Sequence, residues 1–80
     1  MTNRMRPIHP GEILKDELAA LQLSANAFAK ALGVPANRIT GILNEQRTVT
    51  ADTALRLARF FGTTPEFWMS LQASYDVKRV

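Results

Sequence analysis

Residues 24–44, SANAFAKALGVPANRITGILN, decide the fold. Ser24 is a good N-cap for a helix running from Ala25 to Leu32, and Gly33 suits the left-handed turn that ends it. The alanine-rich run ANAFAKAL favours helix and permits close packing. Only Val34 and Pro35 separate Gly33 from the next helical pattern, where Ile39, Ile42 and Leu43 form an apolar stripe. Two short helices joined by a tight turn containing glycine make the helix-turn-helix unit. In such a unit Phe28, Leu32 and Val34 anchor the core, Ala29 is small where the helices cross, and Gly33 turns the chain. The side opposite Ile39 and Ile42 presents Ala36, Asn37, Arg38, Thr40, Gly41 and Asn44. These residue types suit base edges: asparagine bonds adenine bidentately, arginine bonds guanine or phosphate, and threonine touches a thymine methyl. Gly41 costs about 1 kcal/mol relative to alanine inside a helix. It either allows close approach to a nucleic-acid backbone or has no part in reading.

Working outward, residues 1–9 read as an arm, with Pro7 restricting Arg6 to extended geometry. Residues 10–80 are expected to form one domain. Pro10-Gly11 opens a first helix with Ile13, Leu14, Leu18 and Leu21 at helical spacing, and Lys15 and Asp16 on its outer side. Residues 44–49 are a polar loop up to Val49. Thr50 caps a fourth helix whose stripe is Ala54, Leu57, Ala58 and Phe61, ended by Gly62. Thr64-Pro65-Glu66 starts a fifth, with a cap, a proline at the first helical position and an acid at the second. That helix carries Phe67, Trp68, Leu71, Tyr75 and Val77. No segment alternates with the two-residue period of a strand, so the expected class is all-α with five helices.

Composition narrows the chemistry. The 80 residues contain no cysteine and one histidine, His9, which excludes disulfides, thiolate metal sites, a cysteine nucleophile and a two-histidine metal site. No cofactor or metal is expected. No apolar run approaches the roughly 18 residues of a membrane span, and the N-terminus lacks a signal-peptide pattern, so the expected address is the cytoplasm. Ten basic residues against seven acids give a formal charge of +3. With a pI near 10.0 this is the first mark of a nucleic-acid binder. The charges are also segregated. Between Ala19 and Asn44 stand Lys30 and Arg38 and no acid, while the first helix carries Glu12, Asp16 and Glu17 against Lys15. One basic face and one acidic face suit two different partners. An RNase would need a general acid–base pair, and His9 in a proline-flanked arm is better placed for a helix-entry hydrogen bond. Ser24, Thr50 and Thr64 are caps, not nucleophiles.

Five of the six aromatic residues, Phe60, Phe61, Phe67, Trp68 and Tyr75, follow Arg59. Part of this cluster is expected to be an interface between two copies, with Phe60, Trp68, Leu71 and Tyr75 as contacts. Spacing does not decide which of Phe67 and Trp68 faces inward, because neighbours on a helix point about 100° apart.

Three segments, RPIHPGEILKDEL, ALGVPANRI and TADTALRLARFFGTTPEFWMSLQASYDV, resemble the HigA-type antitoxins of the lambda-repressor-like (Cro-like) helix-turn-helix superfamily. The resemblance spans residues 6–77. It implies a five-helix fold with the helix-turn-helix at helices two and three, and a dimer that represses its own operon. It also implies a partner, a small basic mRNA-cleaving toxin of the HigB type that this protein would block. The alternative is a stand-alone helix-turn-helix repressor; neither is an enzyme. On this footing Ser24, Lys30, Ala36, Asn37, Arg38, Thr40, Asn44 and Arg47 are the expected DNA-binding residues, with Ser24, Lys30 and Arg47 on phosphate. Glu12, Asp16 and Glu17 are the expected toxin-binding strip, with the arm from Arg4 to Pro10 ordering beside it. Two departures stand out. Many relatives have glutamine where this chain has Ala25, and Asn-Gly-Lys-Arg where it has Asn44-Glu45-Gln46-Arg47. Glu45 sets a negative charge close to where a phosphate would lie.

Overall fold

Helix ends are set by local chemistry in this chain. The computed structural model describes residues 6–80, and the first five residues of the expected arm, Arg4 among them, lie outside the described residues. The described residues form α1 Pro10–Leu21, α2 Ala25–Leu32, α3 Ala36–Leu43, α4 Ala51–Phe61 and α5 Pro65–Arg79. The all-α, five-helix expectation holds. Ser24 Oγ accepts from the Ala27 N–H (3.1 Å), Thr50 Oγ1 from Thr53 (3.4 Å) and Thr64 Oγ1 from Phe67 (3.2 Å), satisfying amides that have no partner within the helix. His9 does the same with a ring: its Nδ1 accepts from the Gly11 N–H at 2.9 Å. The ring is buried, with the edge of Tyr75 4.7 Å away between centroids. This is the helix-entry role expected for His9, and it leaves the imidazole buried away from any substrate.

The exits turn left-handed. Gly33 and Gly62 do so without a Cβ to hinder them, while Gln22 (φ 57°) and Glu45 (φ 62°) bear the strain of a side chain there. At α3 the Gln46 N–H bonds the Gly41 carbonyl (2.8 Å) and the Glu45 N–H bonds that of Ile42 (3.0 Å), the paired closure of a Schellman motif.

The core joins Leu14 and Leu18 of α1, Phe28, Ala29 and Leu32 of α2, Ile39 and Ile42 of α3, Ala54, Leu57 and Ala58 of α4 and Trp68 of α5. Val49 adds a side chain from the α3–α4 loop. Three expectations change. Leu21 and Val77 extend the apolar period of their helices past the packed part, and both are exposed, Val77 to 72%. Trp68, expected at a dimer interface, is 1% exposed; its indole lies against Phe61, and its Nε1 donates to Thr63 Oγ1 at 2.9 Å. A ring so enclosed has no surface left to offer a partner. Phe67 takes the outward direction and is 44% exposed.

α1 and α3 meet backbone to backbone. A Cβ on Gly11 would run into the Ile42 carbonyl oxygen, a group that cannot swing aside. Gly11→Ala is therefore expected to cost about 2–3 kcal/mol. Thermal unfolding followed by circular dichroism should show the melting temperature falling by on the order of 10–20 °C.

Candidate nucleic-acid interface

α3 lies with Ile39 and Ile42 in the core and Asn37 and Asn44 exposed on the far side, with Thr40 half-buried between. Ala36 is exposed at its first turn. The interface residues on α3 are thus brought to one outward strip, with two exceptions.

The first exception is Gly41, which is buried rather than outward. The Arg47 side chain lies over it: a Cβ at position 41 would meet Arg47 Cδ at 2.7 Å and Cγ at 2.8 Å. The missing methyl of Gly41 is what lets the arginine stem lie down on the helix. The Gly41 carbonyl also accepts from the Arg47 N–H at 3.1 Å, so backbone and side chain of the loop are both fixed to α3. A charge from the loop is thereby laid along the strip occupied by Asn37, Thr40 and Asn44. Gly41 serves a close approach, but of an arginine of the same chain.

The second exception is Arg38. It lies about 100° round the helix from Asn37 and faces the first turn of α4, where its Nη1 donates to Asp52 Oδ2 at 2.9 Å. The same oxygen accepts from Arg56 Nε at 3.2 Å, and Arg56 Nη1 donates to the Leu32 carbonyl at 2.8 Å. Sequence spacing shows the Asp52–Arg56 pair, four apart on one helix. The link from Asp52 to Arg38 crosses fourteen positions and carries no local signal.

The loop between α3 and α4 is pinned from the other side by Gln72, which is 5% exposed. Gln72 Oε1 accepts from the Val49 N–H at 2.8 Å, while its Nε2 donates to Asp76 Oδ1 at 3.0 Å. Gln46, Arg47, Thr48 and Thr50 line an open depression there. Ser24 is exposed at the start of α2 and Lys30 in its last turn. The two are separated by about 9 Å along the axis.

The acidic strip on α1 is narrower than its sequence suggests. Both carboxylate oxygens of Glu12 are taken by Arg6, at 2.7 and 2.9 Å. The hydrogen bonds to Arg6 hold the Glu12 carboxyl below its ordinary range, against a smaller opposing effect of burial, and raise Arg6 in turn. Asp16 and Glu17 are exposed and make no ion pair among the described residues. Among the described residues no group of three or more histidine or acidic side chains is arranged to hold a metal, and no helix is long and apolar enough to cross a membrane.

A family model for helix-turn-helix domains matches residues 14–68. The structure is similar to that of an addiction-module antidote protein of the HigA family from Coxiella burnetii. The two are 66% identical, with a TM-score of 0.93 over 94% of this chain and 83% of that one. It is also similar to the Pseudomonas aeruginosa antitoxin HigA solved with the higBA promoter, at 51% identity and a TM-score of 0.88, covering 90% and 79% of the two chains. Antitoxin HigA-1 of Vibrio cholerae is 37% identical over 75 residues, 92% of this chain and 70% of that protein. The chain belongs to the Cro- and lambda-repressor-like helix-turn-helix family and, within it, to the HigA-type antitoxins. That family is one of DNA-binding regulators, not an enzyme class.

Replacing Gly41 tests the arrangement of the strip. Gly41→Ala removes a helix-interior glycine, a gain of up to about 1 kcal/mol, but displaces the Arg47 stem. A melting temperature unchanged or slightly raised, together with weaker binding to DNA from the protein's own promoter in a gel shift, is the expected combination.

Proposed function

We propose that this protein is the antitoxin of a type II toxin–antitoxin pair. It binds and blocks a small, basic, mRNA-cleaving toxin of the HigB type, and as a cytoplasmic homodimer it represses its own operon. The observation that carries the DNA half is the α3 strip: Asn37, Thr40 and Asn44 outward, with Arg47 laid over Gly41 beside them. A strip of hydrogen-bonding side chains on a short helix, flanked by cations, is what major-groove reading requires. Asn37 and Thr40 read base edges. Ala36 and Asn44 line the approach. Ser24, Lys30 and Arg47 contact phosphate, and Arg38 lies on the flank of α3, paired with Asp52.

Two copies place their α3 helices in successive major grooves, about 34 Å apart, on an inverted repeat. The pairing surface is the end of α4 and one edge of α5: Phe60, exposed beside Phe28, then Leu71 and Tyr75. Phe67 replaces Trp68, one turn before Leu71 on the same edge. The toxin contacts α1 through Asp16 and Glu17, with Glu12 contributing less because Arg6 already neutralises it. An acidic patch of this kind steers a cationic partner and raises its rate of association. The antitoxin reading is favoured over a stand-alone repressor because the similar structures are HigA-family antitoxins.

Asn37→Ala is expected to cost about 1–3 kcal/mol in operator binding and to relax the sequence preference at one base pair. A gel shift against promoter variants measures both, and unaltered affinity and preference would sink the assignment. Charge reversal at Asp16 and Glu17 should weaken co-purification with the toxin encoded beside this gene, while operator binding stays close to wild type. If the reversed protein still captures the toxin at unchanged affinity, the α1 surface is wrong. If no neighbouring product co-purifies even with the wild type, the plain repressor takes its place.

A further inference from the structure

The cation nearest the α3 strip within the helix itself is turned away from it. Arg38 follows Asn37 in the chain, yet its guanidinium is drawn to Asp52 on α4, and its side chain is 35% exposed. Asp52 serves two arginines through one oxygen, Oδ2, and the second of them, Arg56, continues to the Leu32 carbonyl at the exit of α2. An exposed ion pair contributes little to stability, and the Asp52 side chain is 58% exposed. Holding the fold is therefore a poor reason for this chain of contacts. Controlling where a permanent charge points is a better one, because a guanidinium does not lose its proton in any ordinary condition.

We infer that Asp52 is a specificity-determining positioning residue: it holds Arg38 off the groove-facing strip and so limits the protein's attraction to DNA of any sequence. The inference rests on the DNA-binding reading above. Released from Asp52, Arg38 would swing from the flank of α3 toward the phosphates bordering the groove. A phosphate contact carries no sequence information. It strengthens binding to unrelated DNA, where no base contact fixes the register and Arg38 can reach whichever phosphate is nearest, more than binding to the operator, and a repressor loses occupancy to unrelated DNA when the difference between the two shrinks. In this respect Asp52 acts without touching DNA, by withholding a contact.

The test compares the protein with Asp52→Ala, Asp52→Ala/Arg38→Ala and Glu66→Gln. Glu66→Gln removes one exposed negative charge on α5 and controls for net charge. Fluorescence anisotropy on a random-sequence duplex and on the protein's own upstream DNA is measured across a salt series. Asp52→Ala is expected to bind the random duplex roughly ten-fold tighter or more at low salt, with the slope of log K against log salt steeper by about 1.8, the signature of one added phosphate contact in each half of the proposed dimer. The ratio of operator to random binding falls accordingly. Asp52→Ala/Arg38→Ala returns slope and ratio to wild type, and Glu66→Gln leaves both unchanged. Asp52→Asn, which keeps the shape without the charge, moves in the same direction as Asp52→Ala and serves if the alanine variant does not fold. Three results overturn the inference: an unchanged slope in both Asp52 variants, an Asp52→Ala effect that survives loss of Arg38, or an equal effect of Glu66→Gln. Failure of the DNA-binding reading itself is seen separately, as a wild type that does not prefer its upstream DNA.

Discussion

The contact on which the rest depends is that of Gly11 with the carbonyl of Ile42. It allows the start of α1 to lie directly against the end of α3, with no side chain between. Ile39 and Ile42 then reach a core already filled by Leu14, Leu18 and Phe28. A short helix of eight residues has little stability of its own. α3 is rigid because it is held from two sides, by α1 at its end and by α2 through the turn at Gly33. What remains exposed is a strip with a fixed orientation, which recognition of a regular duplex requires.

Much of this arrangement was legible in the chain, and the reason is distance along it. Ser24, Thr50 and Thr64 each bond an amide three residues on, so their role is written within one turn. Gly33 and Gly62 end their helices for an equally local reason. The illegible features involve partners far apart in sequence. Gln72 is a polar residue on a helix, and nothing near it announces that its amide will be buried against the Val49 N–H twenty-three positions away. Gly41 falls on the outward side of a helical projection, yet a loop arginine folds back and covers it. Helical phase gave no preference between Phe67 and Trp68; it was settled by whether an indole finds a hydrogen-bond partner, and Thr63 supplies one. Charges were also misjudged by counting, since Glu12 has its two oxygens occupied and Arg38 is held by Asp52.

The same distinction separates the two proposed binding surfaces. The α3 strip is a geometric object, with named side chains on one face and backbone hydrogen bonds holding the loop beside it. The α1 surface is mainly electrostatic, two exposed carboxylates on a helix. Gln72 gives these parts a common frame. It ties the loop that carries Arg47 to α5, the helix whose edge is proposed for pairing, so in the proposed dimer the spacing of the two α3 strips would be transmitted through packed side chains and one amide.

Glu45 joins two properties in one residue. Its backbone sits in the left-handed region at the exit of α3, and its negative charge is near enough to help raise the Arg6 guanidinium. A glutamate codon becomes a glycine codon by one base change, and that single event would relax the backbone and remove a negative charge at the exit of α3 together. Backbone strain and local charge are thus tied at this site, and in the proposed promoter complex a lineage that keeps the glutamate would keep a more readily reversible grip.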